Sequence, residues 1–498
     1  MSKFRFSINR FSLNDRKISR SAACLMLGLT LLLAGSSLAT ADEQDADQPV
    51  DLKIAYDKTK VYRVEYLIEH LGEVRVEYVK EEEKNQILPI DVKSRLEFHE
   101  RFLGTPENPQ SVRRYERATA DITLNEKELG NDLEPENRLI VTRIKSDAGN
   151  KYQIASVGGI LAQKELELLK NPADPLVYSE LFTKTNVRPG ESWEPARDSL
   201  ARLLFVDYVT QSDVKIELKE VRGQFAKVHI VGRVRAAVDD TMTDIALAGI
   251  AQLDLQEGMV VGLRMNLDEN RLSAQIAPGY SGRSKIDVRI SPSNPLPELE
   301  PENLRQLAKS RAIRNQLRWL ADNKAFQLIY EPSWKLISAD TDAAIFRFVE
   351  NGDLLTQCNV VRLSSRPPDN PLVLSDFQRE VAKAIAKDPN SRIVTADQGI
   401  NAHGHQVLRV LVRGVEEEVS VNWIYYNVAS EDGQQVTFIF TAEEQVLNRV
   451  LLPSQQLVDG FVFFPRNFGN PEFGNLEFGN TESESPTVRG AGTEFNVR

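Results

Sequence analysis

The chain has 498 residues, with 61 lysines and arginines against 72 aspartates and glutamates and a formal charge of −11. An acidic chain repels a phosphate backbone unless a local basic patch overrides the sum, which argues against generic nucleic-acid binding. Its length exceeds what one hydrophobic core usually serves, so two domains or more are expected.

Residues 1–41 open with Lys3, Arg5, Arg10, Arg16, Lys17 and Arg20, followed by the apolar "AACLMLGLTLLLAG" and then "SSLATADE". Ala39 and Ala41 are the small residues that signal peptidases read, which predicts a secretory signal cleaved after Ala41, with Ala39 the alternative. An uncleaved anchor is the competing reading, but about 14 apolar residues fall short of the ~20 that span a bilayer. Ser36 stands where a lipoprotein signal needs cysteine. Export to the periplasm or extracellular space is therefore expected, with no transmembrane segment after cleavage. Cleavage would remove six basic side chains and Asp15, taking the formal charge to about −16. Cys24 would leave with the signal, and Cys358 alone cannot form an internal disulfide.

Residues 42–290 read as a β-rich domain. "KVYRVEYLIE" and "VRVEYV" alternate apolar and polar residues, and "IDVKSRLEFHERF" puts Val92, Leu96, Phe98 and Phe102 on one face with Lys93, Arg95, Glu97 and His99 on the other. That alternation predicts an antiparallel sheet with one wet face. Further strands at "RLIVTRI", "KYQIAS", "DVKIELKEV", "FAKVHIVGRVRAAV", "DIALAGIAQLDLQ" and "MVVGLRMNL" extend it into a curved, half-barrel-like meander, with Gly258 at a turn. The helical "LAQKELELL" and "ARDSLARLLFV" are expected over one face of it.

A Pro-rich linker and basic helix follow at 291–325. Pro292, Pro295, Pro297 and Pro301 favour extended backbone, and "LRQLAKSRAIRNQLRWLADNK" reads as a helix carrying Arg305, Lys309, Arg311, Arg314, Arg318 and Lys324. Its basic face is either a solvated surface docking between acidic domains or, through Arg314 and Arg318, an anion contact.

Residues 326–466 read as strands, one helix at "LSDFQREVAKAIAK" with Ser375 and Gln378 as a capping box, more strands and a closing helix. The whole chain is thus α+β in two domains, the second an antiparallel sheet with helices on its faces. The order of these elements, with "YEPSWKL" at the front, "NWIYYNVASEDGQQVTFIFTAEEQ" late and "LVDGFVFF" at the close, resembles the PsbP-like fold of photosystem accessory proteins and their DcrB-type bacterial relatives. The resemblance implies a non-enzymatic partner-binding protein and carries over no catalytic residue. The N-terminal meander is similar to lipoprotein-carrier half-barrels. After Arg466, Phe-Gly-Asn recurs at Phe468, Phe473 and Phe478 among Gly, Asn and Pro, so 467–498 is expected to be a disordered tail.

Three groups carry candidate chemistry. His403 and His405 in "INAHGHQVLRV" sit two apart, a spacing that on a strand could share a metal, although Gly399 and Gly404 place them at a turn and favour that reading. Arg113, Tyr115 and Arg117 in "SVRRYERAT" would share one strand face and could hold an anion, but pairing with "EYVKEEE" accounts for them as well and is preferred. Cys358 in "LLTQCNVV" is grouped by alternation with Leu354, Thr356 and Val360 and reads as a buried, inert thiol.

No Gly-x-Ser-x-Gly elbow, His-Glu-x-x-His, phosphate loop or dinucleotide fingerprint occurs, and no cofactor is implied. The expectation is a secreted, non-enzymatic envelope protein whose partner is a protein or a polymer. One alternative is a carrier of an apolar ligand such as lipid in the curved sheet, and another is a hydrolase with an unrecognised site.

Overall fold

The computed structural model describes residues 48–76, 86–105, 108–145, 151–238, 241–273, 278–309, 315–350, 353–386, 389–416 and 418–464. The expected signal at 1–41 and the Phe-Gly-Asn tail lie outside these residues.

Alternating apolar residues in the first half produce long strands, and pairing them satisfies their backbone groups. Among the described residues they form one 13-stranded sheet. From one edge it runs Ser192–Trp193, Lys215–Arg222, Phe225–Val238, Thr241–Asp254, Met259–Arg271 and Gly279–Ser293. It continues through Val61–Val76, Gln86–Phe102, Gln110–Leu124, Leu139–Lys145 and Lys151–Ser156. Tyr208–Ser212 pairs with Phe225–Val238, and Lys127–Asp132 pairs with Gln110–Leu124. The first and last long strands meet in the middle, Ile68 opposite Ile286 and Gly72 opposite Gly282. Both edges lie where the chain leaves the meander after Ser156 and re-enters it at Ser192.

The segment between those edges, with helices Gln163–Leu169 and Tyr178–Phe182, and the helix Arg197–Leu204 that follows, covers one sheet face as the sequence predicts. We call this the inner face; it carries Tyr62, Val64, Tyr66 and Ile68, all buried. Tyr66 and Tyr178 both donate to the Ala173 carbonyl, at 2.6 and 2.7 Å, fixing the insert to the sheet. Glu165 is wholly buried within it, accepting from the amides of Glu134 and Ala162 and from the Asn137 side chain. The outer face is a lattice of exposed ion pairs, such as Arg264–Asp287 and Arg235–Asp244. Each adds only about 0–1 kcal/mol, but together they keep that face wet.

The basic helix expected across 304–324 is shorter. It spans Pro301–Lys309, and Leu317–Leu320 is a strand. Leu317 and Trp319 are buried between half-buried Arg318 and Leu320, a period of two that pairs with Phe326–Tyr330. Pairing there outweighs the helical propensity of the arginine-rich run. Leu317–Leu320 also pairs in parallel with Leu161–Ala162, and Phe326–Tyr330 pairs with Phe461–Phe463, making a four-stranded sheet. Residues from both expected domains thus share a sheet, and one cluster of buried side chains runs from Leu52 to Phe463.

The second half builds a seven-stranded antiparallel sheet, in the order Trp334–Ala339, Ala343–Glu350, Asp353–Leu363, Gln435–Glu443, Val419–Ala429, Gln406–Glu416 and Arg392–Ile400. Phe377 and Val381 of the helix Leu374–Ile385 pack on Leu408, Val410 and Val412. This helix starts two residues earlier than the capping-box reading, with Val373 at the cap and no side-chain cap bond, so Ser375 lies inside it. Leu447–Asp459 is the closing helix.

Candidate functional site

The inner face of the large sheet divides in two. Under the insert, Glu100 and Arg113 stand opposite each other on neighbouring strands, and both are buried. Arg113 donates through Nε to Glu100 at 2.7 Å and through both Nη atoms to Asp174 at 2.9 and 2.6 Å. Asp174 also accepts from the Leu176 amide, so one carboxylate caps the Pro175–Val177 turn and clamps it to the sheet. The Arg113 guanidinium lies 5.1 Å from the Phe98 ring centre. Burial pushes the Glu100 carboxyl up, and Arg113 pulls against it. Burial by itself would lower the Arg113 pKa, but Asp174 and Glu100 overcome it and hold the group charged.

Beyond the insert the same face is only half-covered among the described residues. Val74, Leu88, Ile90, Val92, Ile122 and Leu124 are each only half-buried. The register places Val92 between His70 and Ile122, and Ile90 between Gly72 and Leu124. They form an aliphatic stripe across three adjacent strands, continuous with the core through Val92 and Ile122.

Alongside the stripe lies a polar network. His70 Nδ1 is 2.8 Å from Ser284 Oγ, and the Tyr280 hydroxyl reaches the same ring from two positions along that face, past Gly282. Gly72 and Gly282 face each other beneath it, and a Cβ at Gly282 would collide with the Tyr280 hydroxyl, so two facing glycines give the ring its bed. Arg271 lies 5.8 Å from the Tyr280 ring centre and donates through Nε and Nη2 to Glu269 Oε1, which Thr243 also contacts. Burial lowers the His70 pKa and keeps the ring neutral near pH 7, with Glu269 and Asp91 pulling weakly the other way.

The residues singled out from the sequence fare unevenly. Arg113 and Tyr115 share the inner face, but Arg117 does not: a bulge against Glu97 and Phe98 inserts Glu116 and turns Arg117 to the outer face, 3.8 Å from Glu97. Arg113 pairs with Glu100 and Asp174; the expected partner segment "EYVKEEE" lies outside the described residues. Arg314 also lies outside them, and Arg318, on its strand, pairs with Glu134 at 2.7 Å.

His403 and His405 flank Gly404, whose φ of 82° marks the turn. Asn401 accepts from both histidine amides and donates to the Phe461 carbonyl at 2.8 Å. His405 Nε2 accepts the Phe463 amide at 3.2 Å, so the ring pins the turn to the closing strand. Among the described residues, no group of three or more metal-ligating side chains comes together. Cys358 is fully buried with Thr356 and Val360, burial pushes its thiol up, and Leu354 is partly exposed.

A second histidine relay, on the outer face, was not anticipated: His99 Nε2 meets Glu116 at 3.0 Å and Nδ1 meets Ser293 Oγ at 2.8 Å. It ties the start of the Pro-rich segment to the sheet. His70, Glu100 and Tyr280 were also missed, although Glu100 left a trace as a charged residue in phase with Leu96 and Phe98. Nothing local in the sequence brings His70 to Ser284, which lies 214 positions away.

No family model matches the chain, and no curated protein matches it. Among solved structures it is similar to the cyanobacterial PsbP of Synechocystis sp. PCC 6803, at 16% identity and a TM-score of 0.25 over 30% of this chain and 92% of that one. It is similar to the Ran-binding protein Mog1p of Saccharomyces cerevisiae, at 11% identity and a TM-score of 0.24 over 30% of this chain and 95% of that one. It is also similar to lipovitellin, at 8% identity and a TM-score of 0.28, over 49% of this chain and 26% of that chain. The likenesses are partial, and the function has to be read from this protein's own residues. Among the described residues no helix is long and apolar enough to cross a membrane.

Proposed function

We propose that this is an exported, non-enzymatic binding protein whose large antiparallel sheet holds an apolar ligand, such as a lipid chain, on the open end of its inner face. The observation that carries the reading is the half-buried stripe of Val74, Leu88, Ile90, Val92, Ile122 and Leu124 on a face that is elsewhere sealed by the insert. The opposite face is charged and ion-paired but also exposes single aliphatics such as Leu67, Leu71 and Ile250; what sets the inner face apart is a run of aliphatics continuous with the core. Covering apolar area contributes roughly 25 cal/mol per Å², which favours a ligand that completes the inner face.

The test is native mass spectrometry, with lipid extraction, on protein purified from its own envelope fraction. Bound lipid that disappears in Ile90→Asp supports the reading. A chain that carries no lipid and is not displaced from this state by added lipid would exclude it and return the protein to the class that binds protein or polymer partners.

A further inference from the structure

The polar network beside the stripe points to the kind of ligand, an inference that rests on the apolar-ligand reading. A neutral imidazole has one N–H and one lone pair. His70 nevertheless touches two hydroxyls, Ser284 Oγ at Nδ1 and Tyr280 Oη at Nε2, the latter also 3.2 Å from Nδ1. One hydroxyl therefore donates to the ring and the other accepts from it. The accepting hydroxyl keeps its own proton, for which the network holds no acceptor among the described residues.

That spare donor sits on a face where it is only partly covered, since His70, Tyr280 and Ser284 are all half-buried. The stripe begins one strand away, with Val92 directly opposite His70. Within the network Arg271 is matched by Glu269 and burial keeps His70 neutral, while Arg75 at its border spends its guanidinium on Asn270 and the Arg271 and Tyr280 carbonyls. An anionic head group would find no unmatched cation in this network and would meet the Glu269 carboxylate.

We propose that His70, Tyr280 and Ser284 form a head-group subsite that donates a hydrogen bond to an uncharged oxygen of an acyl lipid, such as an ester carbonyl, while the chain lies along the aliphatic stripe. Tyr280 is the positioning element, because the bed formed by Gly72 and Gly282 holds its ring flat on the inner face.

The experiment displaces an apolar fluorescent dye from the full chain with either 1-monooleoylglycerol or octadecene, in wild type and in Tyr280→Phe, Ser284→Ala and Ile90→Asp. Wild type should take 1-monooleoylglycerol several-fold more tightly than octadecene. Tyr280→Phe, which keeps the ring in its bed, should lose about five-fold for the ester, the worth of one neutral hydrogen bond, and nothing for the hydrocarbon. If Ser284 is instead the accepting hydroxyl, the same loss should fall on Ser284→Ala, with thermal melting checking that each variant is folded. Ile90→Asp should weaken both probes. Equal affinity for the two probes, unchanged in the hydroxyl variants, would overturn the head-group subsite and leave the apolar reading standing. No displacement by either probe in wild type would overturn the apolar reading and the subsite with it.

Discussion

The two polar groups on the inner face of the large sheet are built from similar parts and serve different ends. Glu100 and Arg113 on the sheet and Asp174 on the insert above them are all but sealed from solvent. His70, Glu269, Arg271, Tyr280 and Ser284 lie beyond it, on the same face, and remain half-buried. In the first group every donor of Arg113 that meets an acid is satisfied within the chain, and the bonds join sheet to insert. In the second, the proton count leaves a hydroxyl donor over. Burial with matched charges makes a clamp, even with Glu100 Oε2 left without a hydrogen bond among the described residues, whereas partial burial with a surplus donor makes a place for something else.

The comparison can be broken most forcefully at the clamp. Arg113→Met would leave Glu100 and Asp174 buried together without their cation, a loss of about 3–5 kcal/mol that urea unfolding would read. The equivalent Arg271→Met, at a pair each about 22% exposed by side chain, should cost no more than about 1 kcal/mol. Equal losses would erase the distinction between clamp and open site.

Next in size is Ile90→Asp, which should abolish binding of an apolar dye at the open end while changing stability by less than about 1 kcal/mol. A large loss of stability would show that Ile90 belongs to the core instead.

The smallest effect is one of pH. Burial raises the folded-state pKa of Glu100 above its unfolded value of about 4.3, so the folded chain binds that proton more tightly. Stability from this group is fully present below the unfolded pKa and falls as pH rises toward the folded one. Glu100→Gln, which keeps an acceptor for Arg113, should flatten that slope in a series of denaturation midpoints across this window. A slope of the same size in the variant would assign it to another group.

Much of the fold was legible because it is local. The alternation in "IDVKSRLEFHERF" assigns Leu96 and Phe98 to one face and Arg95 and Glu97 to the other, and the register agrees. The turn at His403 and His405 was legible from Gly404. The basic helix was not, because Leu317 and Trp319 fit a period of two only once Phe326–Tyr330 is alongside. Nor was the fate of Arg117, since a single inserted residue at Glu116 flips every later side chain and leaves no mark in composition.

By itself, then, the sequence determined most strands of the large sheet, though not Gly279–Ser293, whose end was read as linker, and the two helical segments that cover it, because periodicity and turn residues act over a few positions. Tertiary structure alone decided that Val61–Val76 would pair with Gly279–Ser293, and with that, that His70 would meet Ser284 and Tyr280 beside an open aliphatic stripe. Contacts between residues some two hundred positions apart depend on which edges find each other when the chain collapses, and no short stretch of sequence records that choice.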